Sequence, residues 1–191
     1  MKHKKINPLI ENRYSPRAYS REPLSEEIIE SLFEAARWAA SARNAQPWRF
    51  IFATPDRKET WDKLVECLTP TNQEWARDAP FLMLALVQKT DPERNSERKS
   101  ALYDLGLAMG NFTLQAGHLG LHLRNMGGFS PEKARELFVI PELYEPVVMV
   151  AAGYRGDESK LPKHLAVPTP ENRTRKPLDQ LIFTGDWAKM L

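Results

Sequence analysis

Residues 80–88 read PFLMLALVQ, and residues 100–119 read SALYDLGLAMGNFTLQAGHL. The first stretch is short and almost wholly apolar, the pattern of a strand covered on both faces. The second repeats apolar residues at helical spacing. Leu102, Leu105, Met109, Phe112, Ala116 and Leu119 form one stripe, and Ala101, Ala108 and Leu114 widen it, so little of this helix is expected to face water. A strand buried on both faces beside a largely buried helix predicts a sheet between helical layers.

Working outward, residues 48–54 (WRFIFAT) read as a strand rich in aromatic and β-branched side chains. Thr54-Pro55 looks like a helix start, and the amphipathic pattern after it runs to about Leu68. Another helix opens near Ser25, which can cap it. Glu26 and Glu27 suit its positive end, and Ile28, Leu32, Ala35, Ala36 and Ala39 follow at helical spacing. Residues 1–23 are polar, proline-containing and read as an irregular arm. Residues 89–99 form a charged connection. Downstream lie a short strand at 121–125, a helix opened by Ser130-Pro131, and a buried strand at 146–154. The remainder, 155–191, is proline-rich and extended, with a last short strand expected at 180–183. The fold class is therefore α+β: one domain over 1–191, with a small mixed or antiparallel sheet flanked by helices. The extended C-terminal arm has little of its own domain to pack on, so it is expected to wrap a partner subunit.

Composition narrows the functions. The chain has 191 residues, 42% hydrophobic and 27% charged, as in ordinary globular proteins. A formal net charge of +2 is too mild to argue for nucleic acid. The single cysteine, Cys67, makes no internal disulfide and reads as a buried small hydrophobe. No run is long enough to span a bilayer, and the first thirteen residues lack a signal-like apolar run, so a cytoplasmic location is expected. His118 and His122 are four apart, but Gly120 interrupts them and no metal motif accompanies them, so no metal site is assigned. No glycine-rich dinucleotide fingerprint and no serine-hydrolase elbow occur.

Four clusters concentrate polar groups. Arg13-Tyr14-Ser15-Pro16-Arg17 offers two guanidiniums and a hydroxyl, donors suited to a phosphate. Ser41 to Trp48 includes Asn44, Gln46 and Pro47 directly before a strand. Asn125-Met126-Gly127-Gly128-Phe129 leaves a strand through paired glycines, which permit close backbone approach to a flat ligand. Arg173-Thr174-Arg175-Lys176 is a late basic cluster. Each alone has a bland reading as solvated loop or turn.

In this order, together with Asn72 ahead of Asp78-Ala79-Pro80, Asp104-Leu105-Gly106-Leu107-Ala108, Asn111, Gly117 and Gly120, they resemble the FMN-dependent nitroreductase family. The resemblance runs from about residue 8 to 185. It implies an NAD(P)H-dependent oxidoreductase that is a homodimer with FMN at the interface. Its acceptor would be a small molecule such as a nitroaromatic or quinone, reduced by a ping-pong mechanism. Arg13 looks like the FMN-phosphate arginine, with Tyr14 and Ser15 beside the ribityl-phosphate and Arg17 near N1 and O2 of the ring. Ser41 and Asn44 resemble residues that reach the flavin from the opposite subunit, and Gln46 of the same motif counts among the cofactor contacts. Asn72 resembles the amide at the pyrimidine edge, Gly127 and Gly128 the backbone beside N5, and Arg173 and Arg175 the pair closing on the phosphate. No protein nucleophile or metal is implied; Arg17 and Gly128 tune the flavin. Three positions depart from the family pattern. Ala40 stands where many members have proline, Trp75 where some have a lysine close to the flavin, and Gly127 where some have glutamate. A non-catalytic flavin-binding or flavin-handling protein is the alternative on the same scaffold.

Overall fold

In a computed structural model, which describes residues 5–168, 172–185 and 187, the apolar run is the strand β2 (Phe81–Gln88), and all eight of its residues are buried. Its alternating side chains feed two cores, because successive residues of a strand point to opposite faces. Phe81, Met83, Ala85 and Val87 enter one cluster; Leu82, Leu84 and Leu86 enter the other. β2 lies between β1 (Trp48–Ala53) and β6 (Tyr144–Gly153), with β5 (His122–Met126) on the far edge. Every pairing in this four-stranded sheet, order β1-β2-β6-β5, is antiparallel.

One face is covered by α2 (Glu26–Arg37) and α5 (Ala101–His118). Ser25 caps α2 as expected, its Oγ accepting from the Ile28 N–H at 3.3 Å. Leu32 and Ala36 of α2 are fully buried against Ala108, Phe112 and Ala116 of α5. Phe33 sits among Phe50, Phe52, Phe81 and Phe112, ring centroids 5.0–6.2 Å away. Burying each such ring contributes about 1.5–3 kcal/mol. The opposite face carries α3 (Lys58–Cys67), α4 (Pro70–Ala76) and α6 (Pro131–Leu137), whose Trp61, Leu64, Trp75 and Ala134 cover the second cluster.

Several expectations are corrected. The third helix starts at Lys58, not at Thr54-Pro55. Thr54 O accepts from the Arg57 N–H at 2.9 Å, and Asp56 is held by a hydrogen bond from Thr54, so local side-chain bonding makes a turn before the helix. The N-terminal arm contains one short helix, α1 (Pro8–Glu11), capped by Asn7. The 89–99 connection folds into a minute hairpin, β3 (Thr90–Asp91) with β4 (Ser96–Glu97). Where a strand was expected at 180–183, the chain makes a 3-10 turn at Leu178–Gln180. The long helix is also less covered than its sequence implies. Leu102 and Tyr103 are 53% and 71% exposed, and Leu107 and Leu114 lie at the border of exposure. One sheet face accommodates one side of α5; its apolar surplus is left on the outer side. Among the described residues, no helix is long and apolar enough to cross a membrane.

Candidate functional site

After α1 the chain runs along the β5 edge. The Tyr14 ring meets His122 edge-on at 6.3 Å, and the Arg155 guanidinium lies 5.1 Å from the Tyr14 centroid. This anchoring turns Arg13 and Ser15 toward each other: Arg13 Nη1 donates to Ser15 Oγ at 2.8 Å. The serine then keeps its own proton for a further acceptor. From the far end of the chain, Arg173 donates through Nη2 to Glu11 O at 2.8 Å and through Nη1 to Arg13 O. The Arg13 pKa is pushed down by burial and then by the positive charges of Arg175 and Arg173. Thus Arg13, Ser15, Arg173 and Arg175 converge. Three guanidiniums share one place, and among the described residues no acidic group forms a salt bridge to Arg13, an arrangement that suits an anion.

Tyr14 is 3% exposed and faces inward; burial, and next Glu158, push its hydroxyl up to about 12. Its side chain therefore supports the loop from beneath. Arg17 donates from Nη1 to Leu165 O at 3.1 Å, and its Nε is buried without a hydrogen-bond partner among the described residues. Arg17 also borders a cavity of about 930 Å³ with Gln73, Trp75 and Leu165. Another cavity, about 1240 Å³ between α2 and β1, contains none of the candidate residues.

Asn72 and Gly128 meet where β5 ends. Gly128 O accepts from Thr69 N at 3.0 Å and from Asn72 Nδ2 at 2.9 Å. A Cβ at position 128 would lie 2.7 Å from Asn72 Nδ2 and 3.0 Å from Thr69 Oγ1, so only glycine permits this approach. The N–H groups of Gly127 and Gly128 make no bond to another backbone group among the described residues, which leaves two adjacent donors beside Asn72.

The third group is on the other edge. Ser41 to Gln46 precede β1, and Arg43, Asn44 and Gln46 all have positive φ (54°, 54° and 46°). Non-glycine residues in that region cost about 1–3 kcal/mol each and persist only where neighbours hold them. Here the Gln46 N–H donates to Ser41 Oγ at 3.0 Å, and Gln46 Nε2 reaches Asn44 Oδ1 at 3.2 Å. The Ala42 N–H donates to Asp104 Oδ2 at 3.2 Å, and Asp104 is itself buried at 3% exposure. Ser41, Asn44 and Gln46 thus form one constellation. It does not meet the Arg13 group within one chain, because β2 and β6 separate the two edges, about 14 Å at the usual strand spacing.

Reading the sequence alone passed over Arg124 of β5, whose Nη1 donates to Ser15 O at 2.7 Å. The only hint was a cation in an alternating strand directly before the paired glycines.

Residues 10–154 match the sequence model described as Nitroreductase family. A protein of Archaeoglobus fulgidus, provisionally named an NADH dehydrogenase/NAD(P)H nitroreductase, is 32% identical over 155 residues, covering 78% of this chain and 85% of its own. A nitrobenzene nitroreductase of Ectopseudomonas oleovorans is 24% identical over 96% of this chain and 86% of its own. A crystal structure described as an oxidoreductase containing FMN superposes with a TM-score of 0.90 at 32% identity, over 99% of this chain and 96% of that one.

Proposed function

The chain belongs to the nitroreductase family and is an oxidoreductase, and on that premise we propose that it binds FMN between two copies of itself and moves hydride from NAD(P)H to a small acceptor. The observation that carries this reading is the gathering of Arg173 and Arg175 around Arg13, which itself bonds Ser15. A phosphate monoester supplies the missing negative charge and accepts planar guanidinium donors well. About 1.5–3 kcal/mol per charge-assisted contact is the expected scale.

The other groups fit the rest of the cofactor. Asn72 spends its amide N–H on Gly128 O, which leaves its side-chain carbonyl to accept from a ring N–H. The Gly127 and Gly128 N–H groups are donors for the ring edge. Arg17, bordering the cavity, would hold the flavin with a fixed positive charge that stabilises the reduced anion. FMN, when bound, supplies the hydride chemistry that no side chain here offers. Ser41, Asn44 and Gln46 reach the same ligand from the second copy, because within one chain they lie on the wrong edge. The exposed apolar side of α5 and the exposed Leu178, Leu181 and Ile182 of the tail support that pairing. Donor and acceptor would use the same site in turn, so initial-rate plots are expected to form parallel lines.

The test is an absorbance spectrum of purified protein under argon, before and after NADH or NADPH. Flavin bands that bleach, then return when a quinone or nitroaromatic is added, are expected. A chain that retains no FMN, or whose flavin neither nicotinamide bleaches, overturns the assignment.

A further inference from the structure

Trp75 lies on α4 and lines the cavity that Arg17 borders. It is 1% exposed, so it belongs to the core and offers the site no charge. A guanidinium nevertheless lies against it: Arg124 Cζ is 5.8 Å from the Trp75 ring centroid. We propose that Arg124 is a further cation of the cofactor site, positioning the Ser15–Arg17 loop and supplying positive charge from β5. This rests on the FMN reading above.

Three observations carry it. First, Arg124 Nη1 donates to Ser15 O at 2.7 Å, a contact across 109 residues of sequence. It ties the loop bearing Arg13, Ser15 and Arg17 to the strand that ends in Gly127 and Gly128. Second, the guanidinium lies within cation–π range of a buried indole, a contact that favours one orientation of the planar group. Third, Arg124 makes no ion pair among the described residues; burial, then the charge of Arg17, pull its pKa down. A strut with only a structural task would be better neutral, since bringing two like charges together out of water is unfavourable. An anionic ligand beside both removes that conflict.

The experiment uses the FMN-loaded full chain with Arg124→Met and Arg124→Lys, measuring FMN dissociation constant, midpoint potential of the bound flavin and thermal midpoint. Arg124→Met is expected to weaken binding of the reduced relative to the oxidised cofactor about tenfold, a fall of about 30 mV for a two-electron couple. Arg124→Lys keeps the charge and holds the potential near wild type, while its FMN affinity falls severalfold because the Ser15 tether and the contact with Trp75 are not both kept. A folded Arg124→Met with wild-type potential overturns the inference and leaves the FMN function standing. Should Arg124→Met not fold, Arg124→Lys decides: unchanged FMN affinity overturns the proposal, a severalfold loss supports it. A wild-type chain without FMN overturns both readings together.

Discussion

The two edges of the sheet are built differently. Along β5, groups from four parts of the sequence lock onto each other: Arg13 onto Ser15, Arg124 onto the Ser15 carbonyl, Arg173 onto the backbone of residues 11 and 13, and Asn72 onto Gly128. Before β1, one short loop does everything locally. It holds three non-glycine residues at positive φ by a serine hydroxyl and a buried aspartate. The β5 edge is held by tertiary packing; the β1 edge is held by a strained backbone. On the proposed function each is one half of a flavin site, completed by the other edge of a second chain.

The comparison breaks most completely if the chains are kept apart. Leu107→Arg places a charge on the exposed side of α5. It should give a monomer by light scattering and weaken FMN binding at least a hundredfold, roughly 2.7 kcal/mol. A monomer that still holds FMN tightly removes the need for the second edge.

Within the β5 edge, Arg13→Ala should weaken FMN binding about 10- to 100-fold by fluorescence titration, the scale of a charge-assisted contact. Arg175→Ala should do less, because Arg175 is more exposed. Riboflavin, which lacks the phosphate, should bind all these proteins equally weakly.

Cys67 probes how rigid that edge is. Its carbonyl accepts from Ser130 N at 2.8 Å, just past Gly128, and burial raises its thiol to about 11. A thiol with a folded pKa above its unfolded one stabilises the protein fully below about pH 9 and loses that contribution as pH rises through about 11. Cys67→Ala should therefore flatten part of the alkaline loss of stability, up to about 2 kcal/mol, in urea titrations from pH 8 to 11. In the wild type, a thiol reagent at pH 8 should label Cys67 only after unfolding.

The smallest effect belongs to the strained loop. Arg43 has φ of 54° and is exposed. Arg43→Gly relieves the strain but adds unfolded-state freedom, so a net gain of about 0.5 kcal/mol is expected with FMN affinity unchanged. A loss of stability would mean that the arginine side chain itself holds the loop.

The sequence made the core legible where periodicity was strong. β2 and α5 follow from alternation and from the 3.6-residue repeat, and Ser25 marked the start of α2. It failed where short polar pieces compete with those patterns. Thr54-Pro55 reads as a helix start, yet the Asp56 side chain favours a turn. α4, with the sequence PTNQEWA, shows too few apolar residues to display a period, although Trp75 and Ala76 bury it. At the site, Arg13, Asn72 and Gly128 were picked out by family resemblance, and the structure shows Arg13 bonded to Ser15 and Asn72 to Gly128. Arg124 was not, because its partners Ser15 and Trp75 are close only after folding.

Placing complementary donors on opposite margins of one sheet has a further result, on the two-chain reading. The amount of competent enzyme in a dilute solution falls with the square of chain concentration, not in proportion to it. Added FMN resists this by linking subunits from both sides, so cofactor supply would govern assembly as well as turnover.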